Sequence, residues 1–361
     1  MSRKIEAETP SAADEPRTAL RAMPKIELHC HLEGCVRPQT LLEVADKNDI
    51  ALPTKDPAVL YDYHDMASFL AIFEQVGAAL RTTSDFARIT YEALVDAARA
   101  NVVYREMFFN PTTHPACTYP EMLTGICEGL AAAQAEYGIV ARLIPSIYRG
   151  HSATTAVELV QQVIAHRREE VVGVGIDGDE LQGPPTQFVD AYRMAEKADL
   201  QLTAHAGERF ASVEVAECLD VLRCTRIDHG YGVLEDPRLV QRCRDDRVHF
   251  TCAWLSTAYN FRGDLADHPF HRMREAGLSI SLGSDDPAMG RTDLASDYVT
   301  VSMALGWSSD VLREQNIQAL DAAWCPSEVK HALRQRLQPQ SKGGPLAVAL
   351  STTTPQPLPG G

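Results

Sequence analysis

The chain lacks any run of about 18 apolar residues that could cross a bilayer, and its N-terminus has no apolar core of the kind a secretory signal carries. It also lacks a C-x-x-C pair. The nine cysteines are odd in number and scattered, which argues against both a cysteine-built zinc site and a disulfide framework. Basic charge is scarce: 34 Lys and Arg against 49 Asp and Glu leave a net −15, which argues against a nucleic-acid backbone or an anionic membrane as the partner. No internal repeat is visible. Together these absences predict a soluble, cytoplasmic protein whose cysteines serve as small buried apolar residues. They leave a small neutral ligand open.

What is present is a long alternation. At 361 residues and 45% apolar content the chain can bury a sizeable core. Runs of β-branched and apolar residues recur at Ile26–His31, Val102–Phe109, Ile139–Ser146, Val171–Asp177, Gln201–Ala206, Thr225–His229, Val248–Cys252 and Leu278–Gly283. Each is followed by helical spacing, so eight strands alternating with helices predict a parallel sheet closed as a (β/α)8 TIM-type barrel. The gap from Leu32 to Asn101 exceeds what one crossover helix needs, and Pro38–Lys47 and Ala67–Leu80 read as extra helices capping the barrel mouth. After the last strand, Asp297–Leu305 and Asp310–Gln318 read as closing helices. Residues 1–20 and 338–361 are polar or Pro, Ser and Gly-rich and are expected to be disordered extensions flanking a barrel over 21–337.

In such a barrel the reacting groups gather where strands end, and the chemistry-bearing residues fall there in turn. His29 and His31 stand two apart at the end of the first strand, as two ligands of one cation would. Asp177-Gly178-Asp179-Glu180 follows strand four, His205-Ala206-Gly207-Glu208 ends strand five, His229 ends strand six, and Asp285-Asp286-Pro287 follows strand eight. His29, His31, His205 and Asp285 form a donor set suited to a divalent transition metal, with Zn²⁺ the default for redox-silent hydrolysis. Alone, His205 would read as a hydrogen-bonded core histidine. Glu208, three residues past His205 and beyond a glycine, can reach the substrate side of the metal as a general acid/base. His229 would orient or support the attacking water. Asp285 and Asp286 point different ways, which suits one to the metal and the other to the ligand. The other histidines, among them His64, His114 and His268, are set aside.

The motifs at 24–34, 204–208 (Ala-His-Ala-Gly-Glu), 228–231 (Asp-His-Gly-Tyr) and 284–287 (Ser-Asp-Asp-Pro), in that order, resemble the adenosine/adenine deaminase family of metal-dependent hydrolases. The resemblance runs from about Met23 to Leu312. It implies a (β/α)8 barrel with one zinc per chain, held by His29, His31, His205 and Asp285. It further implies that Glu208 protonates the purine N1, that His229 positions the water, and that Asp286 meets the N7 side and the Gly178 backbone N3. His31 and Glu33 would face the substrate.

Substrate signals conflict. Glu33 stands where nucleoside-type members carry Asp and, with Asp228, leans toward adenine. Gly178-Asp179-Glu180 and the Thr292-Asp293-Leu294 stretch lean toward a nucleoside. Thr251–Ser256 departs from the pattern of both subgroups, and Trp254 there either narrows the pocket or packs. The reading is a zinc-dependent 6-aminopurine deaminase, adenosine slightly ahead of adenine, with a modified adenosine as a further alternative. A binuclear amidohydrolase is disfavoured because residues 171–196 contain no Lys to bridge two metals. A purine-binding protein without catalysis is disfavoured by the intact Glu208 and ligand set.

Overall fold

Eight parallel strands lie side by side in chain order in the computed structural model, which describes residues 15–254, 261, 263–264 and 267–338. They are β1 (Lys25–Glu27), β2 (Val102–Phe109), β3 (Val140–Tyr148), β4 (Gly173–Asp177), β5 (Gln201–Ala206), β6 (Arg226–His229), β7 (His249–Ala253) and β8 (Ser279–Gly283). Helices α4 (Thr83–Arg99), α5 (Tyr119–Tyr137), α6 (Ala153–Ala165), α7 (Val189–Lys197), α8 (Ser212–Asp220), α9 (Pro237–Asp245) and α10 (Pro269–Glu275) make the crossovers; we number helices in chain order among the described residues. This is the (β/α)8 barrel the alternation predicts. The long gap after β1 holds two further helices, α2 (Pro38–Lys47) and α3 (Met66–Ala79). Local chemistry fixes where helices begin. Asp65 caps α3 and Thr82 caps α4, each in a reciprocal capping box.

The first strand departs from the expected regular run through His31. Glu27 pairs with Arg105 and His31 with Phe108, four steps on one strand against three on the other. One residue is therefore extra, a bulge that breaks strict alternation and re-aims the side chains that follow. Regular pairing stops at Glu27, and Cys30 and His31 continue as single bridges to Asp285 and Phe108.

The ends of the chain also differ from expectation. Residues 15–20, read as part of the extension, belong to α1 (Glu15–Ala22), where Leu20 is buried and the Lys25 ammonium donates to the Arg21 and Met23 carbonyls at 2.9 and 2.7 Å. After α11 (Leu294–Leu305) and α12 (Ser309–Ala322) comes α13 (Ser327–Leu337), unforeseen, whose Leu333 and Leu337 join Ile26, Leu28, Tyr104 and Leu320 in one cluster. The rest of the expected extensions, 1–14 and 339–361, lies outside the described residues.

Buried charges lock the strands to one another. Arg226 on β6 pairs with Glu106 on β2 at 2.6 Å and stacks 3.6 Å from the Trp324 ring centroid, while the Tyr104 hydroxyl donates to the same carboxylate. Glu27 closes the barrel: Oε1 accepts from the Ser284 amide and hydroxyl, 2.9 and 2.6 Å, and Oε2 from Arg105 Nε, 2.6 Å. The end of β1, the middle of β2 and the residue after β8 thus share one carboxylate. Glu27→Ala leaves a buried guanidinium unpaired and should cost about 3–5 kcal/mol of unfolding free energy, read by urea denaturation; a loss below about 1 kcal/mol, the scale of an exposed pair, would refute this.

Candidate active site

The structure brings His29, His31, His205 and Asp285 together, all buried, with one potential ligand atom from each lying within 4.8 Å of the others. Among the described residues this is the one such group of His, Cys, Asp or Glu. His29 lies within the irregular stretch between Glu27 and His31, His31 ends it, His205 sits on β5, and Asp285 follows β8 in a left-handed backbone conformation, φ 63°. Such a conformation costs a non-glycine residue about 1–2 kcal/mol, and it turns the carboxylate toward the imidazoles.

Ring tautomers follow from what lies behind each imidazole. His29 Nδ1 faces the Thr251 carbonyl at 2.9 Å, which can only accept, so Nδ1 carries the proton and Nε2 a lone pair. Behind His205 the Asp228 carboxylate stands 3.4 Å from Nδ1, and behind His31 the Asp177 carboxylate stands 3.6 Å from Nδ1. Both rings then also present Nε2 lone pairs inward. Yet His31 Nε2 and His205 Nε2 are 3.1 Å apart, and Asp285 Oδ1 is 3.2 Å from His29 Nε2 and 3.4 Å from His31 Nε2. With all three rings neutral, their Nε2 lone pairs and a carboxylate would converge on one point, and His29 Nε2 is buried with no hydrogen bond. A divalent cation relieves that crowding, so the set fits a metal.

The backing groups are themselves held. Asp228 accepts from the Thr203 and Thr251 hydroxyls at 2.8 and 2.7 Å, and Asp177 from the Asn110 amide at 2.6 Å. Sequence reasoning assigned neither carboxylate a place behind a ring, although both stood in the quoted motifs; a partner that acts through another side chain has no spacing rule of its own.

A cavity of about 590 Å³ opens over the cluster, walled by His31, Asp177, Gly178, Glu208, His229 and Asp286 near the base and by Tyr63, Met66, Phe69 and Leu70 nearer the mouth. Glu208 and His229 share it, with His229 Nε2 and Glu208 Oε2 3.9 Å apart. Burial pushes the Glu208 carboxyl up to about 8, helped by the charges of Asp285 and Glu180, so the neutral acid prevails at neutral pH. His229, at φ 64°, has Nδ1 3.4 Å from the Tyr231 hydroxyl, leaving Nε2 toward the cavity. Asp286 lies against Gly34, where a Cβ would fall 1.9 Å from its Oδ1; no other residue fits there.

Some expected placements differ. Glu33 is not on the described cavity wall. Its Oε1 accepts from the Asn110 amide and faces His114 Nε2, each at 2.8 Å, so His114, set aside from sequence, is a buried partner. His64, also set aside, stands at the mouth. Trp254 stacks on His268, ring centroids 4.6 Å apart, and is not among the described residues of the wall, which favours packing. His268 does cap α10, accepting from the Phe270 amide, but it is buried. Leu255 and Ser256 lie outside the described residues.

Comparison with known proteins agrees with this geometry. The family model described as adenosine deaminase matches residues 24–340. An adenine deaminase of Streptomyces coelicolor is 36% identical over 305 residues, spanning 83% of this chain and 89% of its own. An aminodeoxyfutalosine deaminase of Acidothermus cellulolyticus is 34% identical over 330 residues, 88% of this chain and 92% of its own. The crystal structure of an amidohydrolase from Burkholderia ambifaria with bound Zn superposes with a TM-score of 0.84 at 31% identity, covering 92% of this chain and 94% of that one.

Two substitutions test the cluster. Asp285→Ala removes a ligand atom and should lower the metal content of the purified protein. Asp228→Asn leaves all four ligands but loosens the His205 ring, and should weaken metal affinity about 10–100-fold, measured by chelator competition; unchanged affinity would remove Asp228 from this role.

Proposed function

The chain belongs to the adenosine deaminase family and is a hydrolytic deaminase acting on C–N bonds, and from that premise we propose that it is a zinc enzyme converting adenosine and water to inosine and ammonia. The carrying observation is a buried carboxyl, Glu208, lining the same cavity as His31, His205 and Asp285 of the donor cluster that His29 completes.

His29, His31, His205 and Asp285 would hold the ion. Zinc so held supplies an acidified water as nucleophile at neutral pH. Glu208 donates its proton to the purine N1, drawing electrons from C6 so that the carbon accepts attack. His229, neutral because burial depresses its basicity, takes up a proton at Nε2 and steadies charge on the attacked face. The Gly178 backbone and Asp286 hold the base edge at its N3 and N7 sides, with His31 against the ring. Met66, Phe69 and Leu70 of α3 line the cavity, and water displaced from it by substrate strengthens every charge interaction inside. The N1 proton stays in inosine; of the two protons the water gives up, one, held in transit at His229 Nε2, goes to the exocyclic amine, so that the C6–N bond breaks and ammonia departs, and the other restores Glu208.

Cavity volume supports a nucleoside. About 590 Å³ is within the range that accommodates drug-sized ligands, and the part walled by Tyr63, Met66, Phe69 and Leu70 lies beyond the ligand cluster, where a sugar can sit. Adenine is supported about equally, by relatives that carry the name adenine deaminase. Side-by-side turnover of adenosine, 2′-deoxyadenosine, adenine and AMP, followed by ultraviolet absorbance, decides between them. The expected order places adenosine first; adenine first would overturn the nucleoside reading, and no spectral change with any of them would favour a binding protein.

The raised Glu208 carboxyl fixes the sign of the pH dependence. Its donating, protonated form prevails below about pH 8 and is lost above, so kcat/KM should fall on the alkaline side with a midpoint near 8. Glu208→Gln should keep its metal and lose about 10²-fold or more in kcat, and wild-type turnover in that variant would refute the assignment.

A further inference from the structure

The five residues from His205 to Arg209 carry both a metal ligand and the proton donor, and their backbone is fastened at every step. Arg149 Nη2 donates to the His205 carbonyl at 2.7 Å, the Gly230 amide to the Ala206 carbonyl at 3.0 Å, and the Gly232 amide to the Gly207 carbonyl at 2.8 Å. The next two amides, Glu208 and Arg209, donate to the two oxygens of one carboxylate, Glu180 Oε1 at 3.0 Å and Oε2 at 3.2 Å. Two successive amides can aim at one acceptor because Gly207 turns the chain at φ 70°, where a Cβ would fall 2.7 Å from Val215 Cγ2. Glu180 is buried and lies on the loop after β4, two residues past Gly178. The buried Arg149 also donates to the Gly183 carbonyl at the far end of that loop, and its Nη2 stands 3.9 Å from Glu214 Oε2.

We propose that Glu180 is a positioning residue for Glu208: its carboxylate clamps the backbone that carries the proton donor and ties it to the loop carrying Gly178. Each carboxylate oxygen takes one amide proton, so the clamp needs both oxygens, and negative charge strengthens both bonds. An amide in place of the acid turns one acceptor into a donor facing a donor, and the loop moves away. Displacement of a reacting group by about 1 Å can cost 10²-fold in rate. The proposal rests on the reading of Glu208 as proton donor.

The test is a double-mutant cycle on the metal-loaded enzyme. Glu180→Gln should lower kcat roughly 10–100-fold, with KM and metal content unchanged. In the Glu208→Gln background, where there is no donor left to place, the same substitution should cost no further activity. Losses that multiply, or wild-type kcat in Glu180→Gln, would overturn the clamp. Should Glu180→Gln fail to fold or hold metal, Glu180→Asp keeps the charge on a shorter arm and should show the same kcat loss at full metal occupancy. Full activity in Glu180→Asp, or loss of metal in both variants, would make Glu180 part of the scaffold alone and refute the proposal. Wild-type activity in Glu208→Gln would instead sink the reading beneath it, so the two failures are distinguishable.

Discussion

Two imidazole nitrogens facing each other at 3.1 Å beside the Asp285 carboxylate are the constraint around which this barrel is organised. Each ring has an acceptor behind it: the Thr251 carbonyl at 2.9 Å for His29, and the Asp228 and Asp177 carboxylates at 3.4 and 3.6 Å for His205 and His31. These three come from β7, β6 and β4, so the donor set depends on strands that contribute no ligand of their own. Fixing the rings before a cation arrives removes the ordering cost from the binding step.

The same division of labour appears in the backbone. Asp285 in the donor cluster and His229 on the cavity wall both occupy left-handed conformations that side chains ordinarily avoid. That strain persists because surrounding contacts over-determine it. Elsewhere, Arg226 with Glu106 and Arg105 with Glu27 hold strands at fixed register through buried ion pairs. Rigidity supplied there permits unfavourable geometry at the rim.

The sequence made the architecture legible because a parallel barrel writes itself as apolar runs separated by amphipathic helices. Strands β2 and β5 match the expected ranges, and most others fall within two residues. What was less legible is instructive. His29 and His31 were read as neighbours on a regular strand, yet they reach the same point through a bulge that no spacing rule displays. Helices α1 and α13 lie outside the strand–helix alternation, and their few leucines find partners only in three dimensions. Glu33 was assigned from a motif to the substrate, whereas its carboxylate is engaged with Asn110 and His114, partners about 80 residues away that a linear reading cannot pair. The donor residues themselves were identifiable because strand ends in this architecture share one rim.

The join between the first and last strands is narrow: Cys30 bridges Asp285, His31 N–H donates to the Asp285 carbonyl at 2.8 Å, and the Asp285 amide to the His29 carbonyl at 3.2 Å. Three of the residues that zip this join, His29, His31 and Asp285, also place their side chains in the donor cluster. A cation gripped from both margins therefore acts as a rivet across the weakest line of the cylinder, and its free concentration becomes a variable of thermal tolerance as well as of turnover.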